Sequence, residues 1–262
     1  MALIGKEYLE HPVFPQLKKY SEFYKDLSFD IMHWLNTGTS AVVNIDTYVF
    51  SSIQGTLDSI YEILMKGRIN DAYSLLRKYY DSTIINIYTN LYLEDNFNFE
   101  SYFVTQINNW IKGKDKLPEY RVMSQYIRDS AKLKPISTLL HQENLYKTIR
   151  ERCNDHTHYN YYRHILYNDG ELYLDSRIKL LDSLLHDLDC IFIQHFAYLF
   201  YLKDNYMMSS DYIDSLDVGL IPEEDSQYLV ASFIQEMFDS IIKAKRPDIA
   251  AAIKEKTAMK LT

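Results

Sequence analysis

Apolar residues that recur every three or four positions, with few breaks, constrain this chain to helices more than any other feature. Between residues 44 and 66, one helix face is marked by Val49, Ile53, Leu57, Ile60 and Leu64. Residues 71–93 are apolar on more than half of a helical circumference, which predicts a central place in a bundle. Because only 7 Gly and 6 Pro occur in 262 residues, few points break these helices. The predicted fold class is all-α.

Turn signals divide the chain into three segments. We expect an N-terminal helical lead-in over residues 1–43, a central helical domain over residues 44–204, and a C-terminal helical extension over residues 205–262. Near the end of the central domain, residues 165–174 alternate around Asp169-Gly170, which predicts a small β-hairpin. A long helix follows over residues 176–204, and His195 on its apolar stripe is interpreted as a hydrogen-bonded core histidine.

Charge and composition limit the functional classes. The net charge of -8 argues against a broad nucleic-acid surface, although it allows a small cationic pocket. Cys153 and Cys190 have no metal-ligand spacing and fit free thiols in a reducing compartment. The N-terminus lacks a signal-peptide pattern, and the most apolar run, residues 190–202, is shorter than the roughly 20 residues of a membrane span. We therefore expect a cytoplasmic protein without membrane attachment.

Residues 150–160 (RERCNDHTHYN) are the most chemically dense part of the chain. They place two arginines, two amides and two histidines within eleven consecutive positions. A guanidinium binds phosphate through a two-pronged set of N–H donors, and an imidazole can transfer a proton near neutral pH. Together these groups can bind or cleave a phosphodiester without a metal ion.

The spacing within this stretch resembles a known nuclease signature. Arg152, five intervening residues and His158, with the polar Asn154 between them, resemble the Arg-x(4-6)-His motif of HEPN-domain ribonucleases, which are helical nucleases common among prokaryotic toxins and antiviral effectors. The resemblance covers residues 44–204 and includes the upstream pattern Ala72-x-x-Leu75-Leu76-Arg77. It implies a metal-independent endoribonuclease that needs no cofactor and that cleaves RNA by attack of the ribose 2′-hydroxyl.

The resemblance also implies roles for individual residues. His158 would accept or orient the 2′-hydroxyl proton, Arg152 would stabilise charge on the scissile phosphate, and Asn154 would position the backbone or phosphate. Tyr161 would stack on the substrate or hydrogen-bond to it. Such domains usually act as two-fold homodimers, here in a bacterial toxin or antiviral-defence system with an antitoxin or other defence protein as a partner.

The motif occurs twice in overlapping form, so the sequence does not decide which arginine and histidine act together. Arg150 also lies five intervening residues before His156. At about 100° per residue, a straight helix aligns Arg150 with His158 on one face and Arg152 with His156 on another, while Arg152 and His158 are about 120° apart. Arg152 and His158 rank first by resemblance, and they converge if the chain bends near Asn154. Arg150 and His156 are the secondary candidates.

Two metal sites are weaker alternatives. His156, His158, Asp155 and His164 lack the spacing of a recognised zinc site. His186-Asp187 is similar to the His-Asp pair of metal-dependent phosphohydrolases, but His141 and Asp211 are only nominal candidates for the other ligands that such a site needs. We expect no bound metal.

A second hypothesis comes from a different class of protein. The chain could be a non-catalytic helical module that binds a nucleotide or a protein partner in a defence or toxin–antitoxin system. Side chains of Arg152 and His158 that converge across a dimer cleft favour the nuclease. Side chains that point apart, or that are buried separately, favour the module.

Overall fold

Helices supply the regular structure of the computed structural model, which describes residues 4–32, 39, 41–97, 104–169 and 176–262. The α-helices are α1 (Lys6–Leu9), α2 (Val13–Asp30), α3 (Ile45–Met65), α4 (Ile69–Asn96), α5 (Thr105–Ile111), α6 (Tyr120–Asp129), α7 (Lys134–Leu140), α8 (Leu145–Thr157), α9 (Tyr162–Leu166), α10 (Arg177–Leu202), α11 (Asp211–Asp217), α12 (Ser232–Met237) and α13 (Pro247–Lys256). A π-helical segment, Phe238–Lys243, continues α12. Since the described residues contain no β-strand, the predicted all-α class is confirmed. None of the described helices has the length and apolarity that a membrane crossing requires.

Helices α3 and α4 form an antiparallel pair joined by a tight turn at Gly67. Gly67 has a φ of 73°, in the left-handed region that glycine reaches without steric cost. Its carbonyl accepts a hydrogen bond from Arg177 Nη1 at 3.1 Å. Helix α2 packs against α3, and α4 packs against α8 and α10. The turn therefore brings the start of α10 to the end of the α3–α4 pair.

Helix α10 is the most buried element of the fold. From Asp187 to Phe200 every residue is buried, which agrees with the apolar stripe that the sequence shows there. Residues of all three sequence segments join one hydrophobic cluster, including Leu17 from the lead-in, Leu76 from the centre and Ile249 from the C-terminal extension. A single core therefore supports the elements around α8.

The core contains a hydrogen-bonded polar network. His195 Nδ1 lies 2.7 Å from the Tyr24 hydroxyl, and His195 Nε2 lies 2.9 Å from Asn86 Oδ1. Asn86 Nδ2 also donates to Asp46 Oδ1 at 2.7 Å. Burial lowers the pKa of His195 to about 3, so this ring is neutral at physiological pH. His195 is thus the hydrogen-bonded core histidine that the sequence predicts.

The segment predicted as a hairpin begins with a helix instead. Ile165 and Leu166 end α9, so no strand starts at residue 165. Residues 170–175, which would form the turn and the second strand, lie outside the described residues. The helix has a physical reason, because it buries His164, whose ring stacks on the ring of His156 with centroids 4.1 Å apart. The helical period prevails over the apolar alternation here.

Candidate functional site

Helix α8 carries most of the dense polar stretch and remains continuous through it. Its buried residues are Tyr146, Ile149, Cys153 and His156, at spacings of three and four. Arg150 and Arg152 lie on opposite flanks of this buried side. His158 is the first residue after the helix, and Tyr159 then takes a left-handed conformation with a φ of 51°. Since α8 runs unbroken to Thr157, the chain does not bend at Asn154.

The straight helix separates Arg152 from His158. Arg152 lines a cavity beside α8, whereas His158 is exposed and does not contribute to that cavity among the described residues. Arg152 and His156 are four residues apart, on the same side of α8, and both line the cavity. Of the pairings that the sequence leaves open, the structure brings together Arg152 and His156.

Arg152 is held by a buried carboxylate. Its Nη1 donates to both oxygens of Asp187, each at 2.6 Å, and Asp187 on α10 has no exposed side-chain surface. The Arg152 side chain is 34% exposed, so its guanidinium lies between the core and the cavity. Burial raises the pKa of Asp187 above its ordinary value, and the charge of Arg152 opposes this rise. A guanidinium has five N–H donors, so the ion pair with Asp187 uses only part of its capacity.

His156 is fixed and neutral. Its ring lies between the rings of Tyr73 and His164, each with a centroid 4.1 Å away. Its Nδ1 lies 2.9 Å from Asn70 Oδ1, an acceptor, so Nδ1 donates and Nε2 is left as an unprotonated acceptor. Burial, with the charge of nearby His164 second, lowers the pKa of His156 to about 3. At neutral pH the ring therefore offers a base nitrogen and carries no charge.

The cavity beside α8, which we call the histidine cavity, has a volume of about 300 Å³. Its lining includes three cationic side chains, Arg152, Arg163 and Lys179. Asp155 is the one carboxylate that lines it in the described part of the chain. The volume lies at the lower end of small-molecule sites, which span about 300–1,000 Å³. The excess of positive charge suits an anion such as a phosphate group.

Aromatic rings and a second histidine complete the wall. His164 Nδ1 donates to the carbonyl of Asp155 at 3.0 Å, which fixes the orientation of this ring. Tyr161 packs edge-on against the His164 ring, with centroids 5.4 Å apart, and its own side chain is exposed. Tyr161 therefore lies at the mouth of the cavity, where a base can stack on it.

The other two motif residues belong to a separate cluster on the opposite flank of α8. Arg150 Nη1 donates to Asp81 Oδ1 at 2.6 Å, and its guanidinium carbon lies 3.2 Å from the centre of the Tyr120 ring. Arg77 also donates to Asp81 at 3.1 Å and hydrogen-bonds to Asn154 Oδ1. Arg150 and Asn154 thus lie outside the histidine cavity.

The two metal alternatives gain no support from the geometry. The described residues contain no group of three or more His, Cys, Asp or Glu side chains that could hold a metal ion. His186 and Asp187 have different partners, because Asp187 pairs with Arg152 and His186 Nε2 lies 3.7 Å from Cys190 Sγ.

The sequence alone did not single out Arg163, Tyr167 or Lys179, and it named His164 and Asp187 only as candidates for metal sites. Arg163, His164 and Tyr167 come from α9 and the turn after it, and the three-residue spacing of Tyr161, His164 and Tyr167 was the available signal. Asp187 sits in the apolar stripe of α10, between Leu184 and Leu188. An acid within an apolar stretch of a helix indicates a buried partner, but the sequence does not name that partner.

The fold and the site define an all-α protein with a cationic cavity that contains two histidines. Comparison with known proteins adds nothing to this description, because no family model, no curated protein and no solved structure matches the chain.

Proposed function

We propose that the protein is a metal-independent endoribonuclease whose histidine cavity holds the scissile phosphate. The observation that carries this proposal is the convergence of Arg152 and His156 with Arg163 and Lys179 on one cavity. Because Asp187 pairs with Arg152, it is Arg163 and Lys179 that leave the cavity more positive than Asp155 offsets, which suits a phosphodiester although the chain as a whole is acidic. As the resemblance to HEPN-domain ribonucleases suggests, the setting would be a bacterial toxin or antiviral-defence system.

His156 has the arrangement of an oriented general base. Asn70 fixes the ring through Nδ1, and Nε2 is the atom that would take the proton from a ribose 2′-hydroxyl. The resulting alkoxide attacks the adjacent phosphorus, the P–O5′ bond breaks, the leaving 5′-oxygen takes a proton from solvent, and the product carries a 2′,3′-cyclic phosphate. Arg152 and Arg163 would stabilise the extra negative charge of the transition state. A pKa of about 3 makes the free ring a weak base, and a bound phosphate would raise this pKa through its negative charge.

His158 would act from outside the cavity. It is exposed just beyond α8, and a second copy of the chain related by a two-fold axis could bring it toward substrate. Such a homodimer would also combine two cationic cavities. An antitoxin or another defence protein that covers this surface would keep the enzyme silent in the cytoplasm.

The test is to incubate the purified chain with total RNA and then with transfer RNA, in the presence of EDTA, and to map the ends of the products. We expect cleavage that survives EDTA and leaves cyclic phosphate ends. His156→Gln should abolish cleavage, and Arg152→Lys should weaken it, because lysine keeps the charge beside Asp187 but loses the forked donors. His186→Ala is the matched control, since His186 is exposed and lies outside the cavity. Cleavage that both cavity variants retain, and that EDTA destroys, would contradict the proposal and indicate a metal enzyme.

The second candidate is a non-catalytic module that binds a nucleotide or a protein partner. Two observations favour it: Asp187 partly neutralises Arg152, and burial makes His156 a weak base. This candidate predicts that the chain binds RNA or a nucleotide but releases no cleaved product at any enzyme concentration. It also predicts that binding is lost in Arg152→Lys or Arg163→Gln, while His156→Gln has little effect on affinity.

A further inference from the structure

A second cationic depression lies on the other flank of α8, between α8 and α6. We call it the basic groove. Its volume is about 560 Å³, within the range of sites for small organic ligands. Arg121 and Arg128 line it from α6, and Lys147 and Arg150 line it from α8. None of the residues discussed above for the histidine cavity belongs to this lining.

The basic groove carries positive charge that ion pairs do not cancel. Arg150 is paired with Asp81, and Lys147 lies 3.8 Å from Glu151. Arg128 donates only to the neutral groups Ser124 Oγ and Gln125 Oε1, both at 2.7 Å. In the described ranges, neither Arg121 nor Arg128 has a carboxylate within ion-pair distance.

One acid lies opposite these cations. Glu143 is the single carboxylate on the wall of the basic groove in the described part of the chain. Since Arg150 and Lys147 are paired with acids, Arg121 and Arg128 against Glu143 leave this concave surface positive in a chain of net charge -8. Uncompensated guanidinium groups in a concave site are suited to phosphate, which they bind through two parallel N–H donors.

The floor of the basic groove is aromatic. Tyr80, Tyr120 and Tyr146 line it, and the rings of Tyr80 and Tyr120 pack edge-to-face with centroids 5.8 Å apart. The guanidinium of Arg150 lies over one face of Tyr120. A planar guanidinium stacked in this way offers its own outer face to a base. The groove therefore combines phosphate donors with a surface for a flat ring.

We propose that the basic groove is a second nucleotide-binding site, in which Arg121 and Arg128 hold a phosphate and the Arg150–Tyr120 stack holds the base. The nucleotide is either free or one unit of a single-stranded RNA. The RNA form of this proposal rests on the proposed function, whereas the free-nucleotide form does not.

The experiment measures binding of two labelled probes to the full chain: adenosine triphosphate, and a short RNA with 2′-O-methyl riboses. The methylated RNA lacks the attacking hydroxyl, so its binding does not depend on cleavage. Arg121→Gln and Arg128→Gln should each weaken binding about tenfold, as expected for a lost charge-assisted hydrogen bond. For the RNA, each lost phosphate contact should also reduce the slope of log affinity against log salt by about 0.7.

Lys25→Gln is the matched control, because it removes one exposed positive charge from α2, which packs on α3 and α10. Arg121 is exposed, so Arg121→Gln should melt like the wild type and keep the test free of folding effects. Weaker binding of both probes supports a free-nucleotide site, and weaker binding of the RNA alone supports an RNA site. Wild-type affinity in both arginine variants, or an equal loss in Lys25→Gln, would overturn the proposal. If the probes bind the basic groove but the protein cleaves no RNA, the proposed nuclease is rejected and the nucleotide-binding site is retained.

Discussion

The ion pair between Arg152 and Asp187 leads to a quantitative prediction about the stability of the fold. Removing one partner of a buried ion pair costs about 3–5 kcal/mol, because the other charge is left without compensation. In Arg152→Met the uncompensated charge is Asp187, which is fully buried. Water reaches the ion pair through the exposed third of the arginine, so we expect the lower end, about 3 kcal/mol. The melting temperature should fall by about 6–12 °C.

A double-mutant cycle separates the energy of this ion pair from the other energetic effects of each substitution. Asp187→Asn should cost less, about 1–2 kcal/mol, since the remaining guanidinium can hydrate through the cavity. The double variant Arg152→Met/Asp187→Asn contains no buried charge and should be more stable than Arg152→Met alone. The expected coupling energy is about 2 kcal/mol, measured by urea unfolding followed by circular dichroism. Arg163→Met is the control, because this exposed arginine lines the same cavity and should stay within about 0.5 kcal/mol of the wild type.

The pH dependence gives an independent check. Burial raises the pKa of Asp187, and without Arg152 this pKa should rise further. When the pKa of a carboxyl is raised by folding, the folded protein loses stability as the pH rises above the pKa of that carboxyl in the unfolded chain, about 3.9. The difference between the wild type and Arg152→Met should therefore be larger at pH 7 than at pH 4. Additive single variants, or a difference that is equal at both ends of this range, would refute the buried-charge reasoning.

Three further perturbations test the fold. Burial lowers the pKa of three histidines below 6.5, to about 4 for His141 and about 3 for His156 and His195. Since only the unfolded chain protonates them near pH 5, each of these histidines should lower stability by roughly 1.4 kcal/mol per pH unit of acidification, and His195→Gln should reduce the measured slope by about that amount in urea unfolding at several pH values. Gly67→Ala should cost about 2–3 kcal/mol in the same assay, because a Cβ there would lie 2.8 Å from Arg177 Nη1. Gly113→Ala, also at positive φ but in open space, should cost only about 1 kcal/mol; equal costs would contradict the steric argument. Asp46→Ala should lower the melting temperature by more than about 6 °C, because Asn86 Nδ2, Asn90 Nδ2 and the Tyr206 hydroxyl each lose an acceptor; a loss under about 2 °C would show that these donors find other partners.

Helical periodicity in the sequence is enough to predict the main elements. The stretches at residues 44–66, 71–93 and 176–204 correspond to Ile45–Met65, Ile69–Asn96 and Arg177–Leu202. These helices bury broad apolar faces, and a period that repeats over several turns identifies such faces without ambiguity. The short α9 was missed, because five residues are too few for the period to outweigh the alternation of apolar residues around it.

The candidate site could be predicted only in part, because the rest depends on tertiary contacts between helices that are distant in the sequence. The helical period correctly places Arg152 and His156 on one side of a straight α8. It cannot reveal Asp187, which lies 35 positions later in the chain and fixes the guanidinium. Nor can it reveal that Asn70 orients the His156 ring. These contacts depend on how α4 and α10 pack around α8, which no local pattern encodes.

His158 differs from the other motif residues in a way that decides how activity data should be interpreted. Arg150, Arg152 and His156 have hydrogen-bond partners on other helices, so their replacement changes stability as well as chemistry. His158 is exposed, and its side chain has no hydrogen bond within the described ranges, so His158→Ala should fold like the wild type. A loss of cleavage in that variant would be a chemical effect. Because His158 lies about 120° around α8 from Arg152, such a loss would also require a substrate or a second copy of the chain that spans the end of the helix.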